Sequence, residues 1–174
     1  MFAVVITGPP GAGKSEVAAC LHDILGDEGL DASLVEVDAL ERSCPALERE
    51  RSIAHLRMLA TSYREVGSAL LLVTAAIEDD AHRRAVLDAA AADGHMLVLL
   101  HADPETMRER LLSREPTGWS GLPELLNASR RLAGTMPALE GIDAMIATQG
   151  RQPADVAAEL RAELRRRGPA GSGP

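Results

Sequence analysis

The chain predicts an α/β fold of three layers, a parallel five-stranded sheet with helices on both faces, and three observations carry that prediction. Short apolar runs alternate with stretches of helical periodicity along the whole chain. Two of the runs, Ser68 to Thr74 and Met96 to Leu100, are almost wholly apolar, as strands buried on both faces of a parallel sheet are. The third observation is the stretch Gly8-Pro9-Pro10-Gly11-Ala12-Gly13-Lys14-Ser15, which joins the first apolar run to the first helical pattern. Its spacing, G-x-x-x-x-G-K-[ST] between strand and helix, is that of a phosphate-binding loop. In such sheets the crossovers are right-handed and ligands sit beyond the carboxyl ends of the strands.

Taken in order, Phe2 to Thr7 is the first strand. Val17, Cys20, Leu21, Ile24 and Leu25 then recur at helical spacing, and Gly26 and Gly29 bracket the end of that helix. Leu34 to Asp38 reads as a second strand with Asp38 at its carboxyl end, and Ala46 to Val66 as a polar, Arg-rich region of two helices with a break. After the third strand a helix spans about Asp80 to Ala92, and the fourth strand follows. Asp103-Pro104 opens a helix to Arg114, with Pro at its first position. Glu115 to Leu122, with Pro116, Gly118 and Gly121, is a loop by composition. A helix from Pro123 to Thr135, a strand from Ile142 to Ala147 and a helix from Pro153 to Arg167 complete the domain, residues 1–167. Residues 168–174 read as a disordered tail.

The chemistry of the glycine loop is separable into parts. Gly8, Gly11 and Gly13 open backbone angles closed to other residues, so successive N–H groups, those of Ala12 and Gly13 included, can turn in around a phosphate. The helix that starts at Lys14, with Glu16 in its first turn, adds its partial positive end. Lys14, expected to be exposed in the empty loop, is placed to reach the β- and γ-phosphates, and the Ser15 hydroxyl to ligate Mg²⁺.

Composition narrows the partners. With 174 residues, 46% apolar and 25% charged, the chain is a single globular domain. One Trp, one Tyr and one Phe leave little for base stacking, and a net charge of −8 argues against a nucleic-acid or membrane-surface partner. Cys20 and Cys44 make no disulfide framework, and Cys20 reads as core filler. Phe2 to Thr7 is too short for a signal peptide and lacks a basic leader, and no run approaches a membrane span, so a cytoplasmic protein is expected.

On the rim, Asp38 is placed to orient or deprotonate an acceptor hydroxyl, although the same residue type caps helices. Glu78, Asp79 and Asp80 come too late after the third strand for a metal-ordering Asp and read as acids of a helix's first turn; whether Glu78 or Asp79 helps order Mg²⁺ stays open. Arg110 and Arg114 lie one turn apart and suit phosphate clamping or stacking on a base. The segment 115–122, carrying Trp119, is a candidate lid, and the region 45–66 a candidate acceptor-binding part, with Arg57 its most specific residue.

These residues resemble the small P-loop kinases, the superfamily of shikimate, gluconate, adenylylsulfate and nucleoside-monophosphate kinases, with a particular likeness to the chloramphenicol-phosphotransferase-like group. Besides the loop, Val37-Asp38-Ala39-Leu40 is similar to the segment after the second strand whose Asp faces the acceptor. Glu109 to Arg114 resembles the E-R-L-x-x-R that opens a mobile lid, which implies that Arg110 covers the adenine and Arg114 meets phosphate. Thr148 to Pro153, with Arg151 and Pro153, looks like the segment that passes the adenine ring. The lid is short and lacks the further arginines of nucleoside-monophosphate kinases, and no glycine cluster of shikimate-kinase type follows the third strand. The resemblance implies transfer of the γ-phosphate from ATP with Mg²⁺ to a hydroxyl of a small-molecule acceptor, by a monomer or homodimer. A nucleotide or primary-metabolite kinase, or a nucleotide-binding regulatory module with slow hydrolysis, is the alternative.

Overall fold

The computed structural model describes residues 1–41 and 43–167; the tail expected over 168–174 lies outside the described residues. Strand β1 (Phe2–Thr7) feeds helix α1 (Lys14–Asp27) through the glycine loop, and β2 (Ala32–Glu36) follows. A single helical turn, α2 (Val37–Leu40), and the long α3 (Arg49–Glu65) lead to β3 (Leu70–Ala75). Then come α4 (Asp80–Ala90), β4 (Gly94–His101), α5 (Pro104–Arg114), α6 (Leu122–Thr135), a 3₁₀ turn (Met136–Ala138), β5 (Ala144–Ala147) and α7 (Pro153–Arg167).

The sheet is all parallel in the order β2-β3-β1-β4-β5, so the strand that carries the loop is central. Its rungs run from Phe2, level with Leu70 and Gly94, to Thr7, level with Ala75 and Leu99. Successive strand residues point to opposite faces, and both faces are covered. Val4, Ile6, Leu72, Val98 and Leu100 pack with α1 and α7, whereas Ala3, Val5, Leu71, Val73 and Leu99 pack with α3, α4 and α6. That two-sided burial explains why the central strands read as unbroken apolar runs.

Helix starts follow their local chemistry. Asp79 caps α4 by accepting from the His82 N–H at 2.8 Å, and Asp103 caps α5 by accepting from the Thr106 N–H at 2.8 Å. At the other end of the chain, Arg165 pairs with Glu28 at 2.6 Å, while Arg166 and Arg167 both reach Glu163.

Four expectations are corrected. Asp38 does not end a strand: β2 stops at Glu36 because Val37, 1% exposed, turns into the second core layer instead of pairing with Ala75. The region 46–66 is not two helices but one, because Ser52, Leu56 and Ala60 form one continuous buried stripe with no Gly or Pro between Arg49 and Glu65. The helix after β3 closes at Ala90 rather than Ala92, since Ala91 takes a left-handed conformation with φ 48°. Strand β5 begins at Ala144, the first residue paired with β4, at Val98.

Candidate active site

The glycine loop is held rigidly by its surroundings. Gly11 and Gly13 sit at φ +86° and +90°, angles open to glycine. Gly11 also lies so close to α5 that a Cβ there would stand 2.7 Å from the Met107 carbonyl oxygen. The loop carbonyls are tied outward: Ser129 Oγ of α6 donates to the Pro10 oxygen at 2.8 Å, and Arg110 Nη1 of α5 to the Gly11 oxygen at 3.1 Å. Ala12 is fully buried in the first core layer, so it offers a ligand its backbone and no side chain. Gly13 precedes α1 without a side-chain cap, which leaves the first N–H groups of the helix for an anion.

Lys14 is not exposed, as the sequence suggested, but 9% exposed. Its ammonium donates to the Gly8 oxygen at 3.0 Å and pairs with Asp38 Oδ2 at 3.5 Å, so the empty loop already holds its lysine in place. Ser15 Oγ donates to Glu36 Oε2 at 2.9 Å. Glu36, at the last rung of β2, thereby joins Ser15 in a set of hard oxygen donors of the kind Mg²⁺ takes alongside phosphate and water. No cluster of His, Cys, Asp or Glu able to hold a metal by itself occurs among the described residues.

Beside the loop opens a cavity of about 330 Å³, lined by Gly11, Gly13, Glu16, Arg110, Arg114, Arg151 and Pro153 among others. It unites three segments far apart in sequence. Arg110 is the tie between them: beyond Gly11, its Nη1 donates to Thr148 Oγ1 at 3.0 Å and its Nη2 to the Thr148 oxygen at 2.9 Å. Three of its five N–H donors are thereby committed, and its planar guanidinium lines the cavity, a group suited to stacking on a base. Arg114, 56% exposed, is paired with Glu115 at 2.6 Å at the start of the connection to α6. Arg151 donates to the Ala147 oxygen at 3.1 Å and pairs with Glu159 at 2.7 Å.

The opposite end of the loop faces α2, α3 and the turn after β3. Asp38 caps no helix; its Oδ1 accepts from the Ala76 N–H at 3.1 Å while Oδ2 faces Lys14. Thr7, fully buried at the end of β1, steadies the same turn by accepting from the Ile77 N–H at 3.1 Å. Asp79 is spent on its cap, whose backbone donor from His82 holds its carboxyl below the usual range, and Glu78 pairs with Arg49 and Arg131. It is Glu36, rather than Glu78 or Asp79, that touches Ser15. His82 is buried, and burial, then the nearby Arg49, push its imidazole toward the neutral form against the opposing pull of Asp79, Glu78 and Asp38.

The structure thus brings Lys14, Ser15 and Asp38 together and gathers Arg110, Arg114, Arg151 and Pro153 around the cavity. It does not bring Arg57 to them: Arg57 is on the exposed face of α3 beside Ala54, Met58 and Thr61. Glu36 was missed as a site residue, and Glu78 was weighed only as a possible orderer of Mg²⁺. A signal for Glu36 existed in its position two residues before Asp38; the pairing of Glu78 with Arg49 and Arg131 had none, because those arginines come from distant elements.

A glycine loop delivering a buried lysine and a helix-borne serine, on the central strand of this sheet order, is the architecture of a P-loop kinase fold. Residues 4–130 match the profile of a family described as an AAA domain, and the chain belongs to that family. Solved structures repeat the fold end to end. A sugar kinase from Janibacter sp. HTCC2649 is 17% identical with a TM-score of 0.68, covering 100% of this chain and 99% of its own. The APS kinase of Mycobacterium tuberculosis, in complex with AMPPNP and APS, is 20% identical (TM-score 0.63; 94% and 96% covered). The shikimate kinase of Acinetobacter baumannii, in complex with shikimate, is 21% identical (TM-score 0.60; 97% and 95% covered). No curated protein matches the chain. Among the described residues, no helix is long and apolar enough to cross a membrane.

Proposed function

We propose that this protein is an ATP- and Mg²⁺-dependent phosphotransferase that moves the γ-phosphate to a hydroxyl of a small molecule, a metabolite or an antibiotic. The observation that carries the reading is the Lys14–Asp38 pair, 3.5 Å apart at the mouth of the glycine loop. It sets a cation for the transferring phosphoryl beside a carboxylate for the acceptor. The base and ribose of ATP occupy the cavity between Arg110 and the Arg151–Pro153 turn, and the phosphates lie on the loop amides. Ser15, with Glu36 behind it, is the group that would hold Mg²⁺, which when bound neutralises charge on the phosphate oxygens.

When nucleotide arrives, Lys14 exchanges Asp38 for phosphate oxygens, and Oδ2 of Asp38 becomes free while Oδ1 stays fixed by the Ala76 N–H. The acceptor hydroxyl oxygen then bonds to the γ-phosphorus as the bond to the β–γ bridging oxygen breaks. The hydroxyl proton passes to Asp38, and ADP leaves with the bridging oxygen. Arg114 releases Glu115 to meet phosphate as residues 115–122 close over the site. With a net charge of −8, the protein takes small-molecule partners rather than nucleic acid or membrane, as a cytoplasmic monomer or homodimer.

The test uses Asp38→Asn, which keeps the shape and removes the basicity. ADP release is followed across a panel of hydroxylated metabolites and antibiotics, beside a titration with a non-hydrolysable ATP analogue. Nucleotide affinity stays within a few-fold while acceptor-dependent transfer falls by about 10²–10⁴. Transfer undiminished in Asp38→Asn, or an ADP release no acceptor stimulates, defeats the reading and leaves a slow nucleotide-binding module.

A further inference from the structure

Arg110 is held by a residue to which the transfer step gives no part. Thr148, the first residue beyond β5, is 3% exposed and pinned twice to the end of β4. Its N–H donates to the His101 oxygen at 2.8 Å, and its hydroxyl to the same oxygen at 3.3 Å. With its proton turned to His101, Oγ1 has only lone pairs for other neighbours. A guanidinium, which carries donors and no acceptor, is the complement of such an oxygen. Arg110 Nη1 donates to Oγ1 at 3.0 Å and Nη2 to the Thr148 carbonyl at 2.9 Å. Two acceptors from one residue fix the plane of a guanidinium, which a single bond leaves free to turn. The other hydrogen of Nη1 goes to the Gly11 oxygen, and a Cβ on Gly13 would lie 3.8 Å from the same nitrogen. The plane is therefore set against the glycine loop, on the wall of the cavity that Thr148 also lines.

We propose that Thr148 is a positioning residue of the donor site: its hydroxyl, acting through Arg110, sets the flat face on which a base stacks. This rests on the nucleotide occupying the cavity, as proposed above. A side chain already held in one rotamer loses little further freedom when the base arrives, so part of the ordering cost of binding is met in the empty protein. The β-branched shape of Thr148 keeps its own rotamer stiff, but only the oxygen can accept from Arg110. The class of donor follows. A nucleoside triphosphate uses both the stacking face and the loop, whereas an inorganic polyphosphate uses the loop alone.

The probes are a non-hydrolysable ATP analogue and inorganic tripolyphosphate, each titrated with Mg²⁺ into the wild type, Thr148→Val and Thr148→Ser. Thr148→Val keeps the shape and deletes the acceptor. It binds the analogue about tenfold more weakly, the loss expected for one hydrogen bond to a charged group, and tripolyphosphate as the wild type does. Thr148→Ser restores the hydroxyl and binds both probes as the wild type does. In an Arg110→Met background Thr148→Val costs no further affinity, since Thr148 acts only through that guanidinium. Should Thr148→Val fail to fold, Thr148→Ala deletes the same oxygen and is read by the same comparisons. Unchanged analogue affinity in the hydroxyl-free variant, an equal loss for both probes, or the same loss with Arg110→Met overturns the proposal. A wild type that does not bind the analogue refutes the donor reading and this role with it. One that binds it, indifferent to the loss of the hydroxyl, refutes the role of Thr148 alone.

Discussion

Replacing Gly11 by Ala tests the close docking of the glycine loop on α5. The new Cβ meets two costs. A residue with a Cβ at φ +86° loses about 1–2 kcal/mol to the left-handed backbone. The Cβ would also stand 2.7 Å from the Met107 oxygen and 3.1 Å from the Met107 Cα, and backbone does not yield like a side chain; the contact must open to at least 3.4 Å. Overpacking of this kind costs about 1–3 kcal/mol. Gly29→Ala is the matched control, at φ +73° with nothing within 4 Å, so it meets the backbone cost alone. Any gain from a stiffer unfolded chain is common to both. Thermal denaturation therefore shows Gly11→Ala melting about 2–12 °C below Gly29→Ala. Because the Gly11 oxygen also holds Arg110, nucleotide affinity falls at least tenfold, about 1.4 kcal/mol, in Gly11→Ala alone. Melting temperatures within about 2 °C of each other, with unchanged affinity in Gly11→Ala, refute the docking argument.

Two further outcomes follow from the site. The lowered pKa of His82 means the unfolded chain takes up a proton that the folded imidazole resists, so its contribution to stability is complete above the ordinary value of 6.5 and is lost as pH falls below it. Denaturant titrations from about pH 7 to about pH 5 show stability declining in the wild type and a flatter profile in His82→Gln; equal slopes count against the buried neutral ring. Trp119, 44% exposed with its ring against Gly121, shifts its emission when nucleotide analogue and acceptor are both bound, whereas an unchanged spectrum removes 115–122 as a lid.

The sheet and the loop were legible in the sequence because both are local: an apolar run of strand length declares double burial, and the glycine spacing is read within eight residues. Asp38 was legible as a rim residue, though its strand ends two residues earlier. Arg57 shows what remains hidden. An arginine in a helix of unknown phase has no fixed direction, and here Leu56 takes the core while its neighbour takes solvent. Glu36 and Glu78 are defined by partners 21 or more residues away, Ser15 for one and Arg49 and Arg131 for the other. Arg110 was expected to cover a base, whereas the brace it forms, three hydrogen bonds that join the loop to the turn after β5, was not legible.

The two core layers lie on opposite faces of one sheet, and the groups of the site divide with them. α1, α7 and Met107 of α5 belong to the first layer, while Val37 of α2, Leu56 of α3, Val86 of α4 and Leu132 of α6 belong to the second. Core substitutions in the two clusters are separated by the sheet, so where no partner is shared their effects on stability add to within about 0.3–0.5 kcal/mol. One half of the molecule can then accumulate change while the other stays under separate constraint. In a laboratory selection for a new acceptor of the proposed phosphotransferase, the productive library is the one confined to α2, α3, the turn after β3 and α6, sparing Asp38 and Ser129, which bond to Lys14 and to Pro10 of the glycine loop. Whatever it yields inherits a glycine loop that the library never touched.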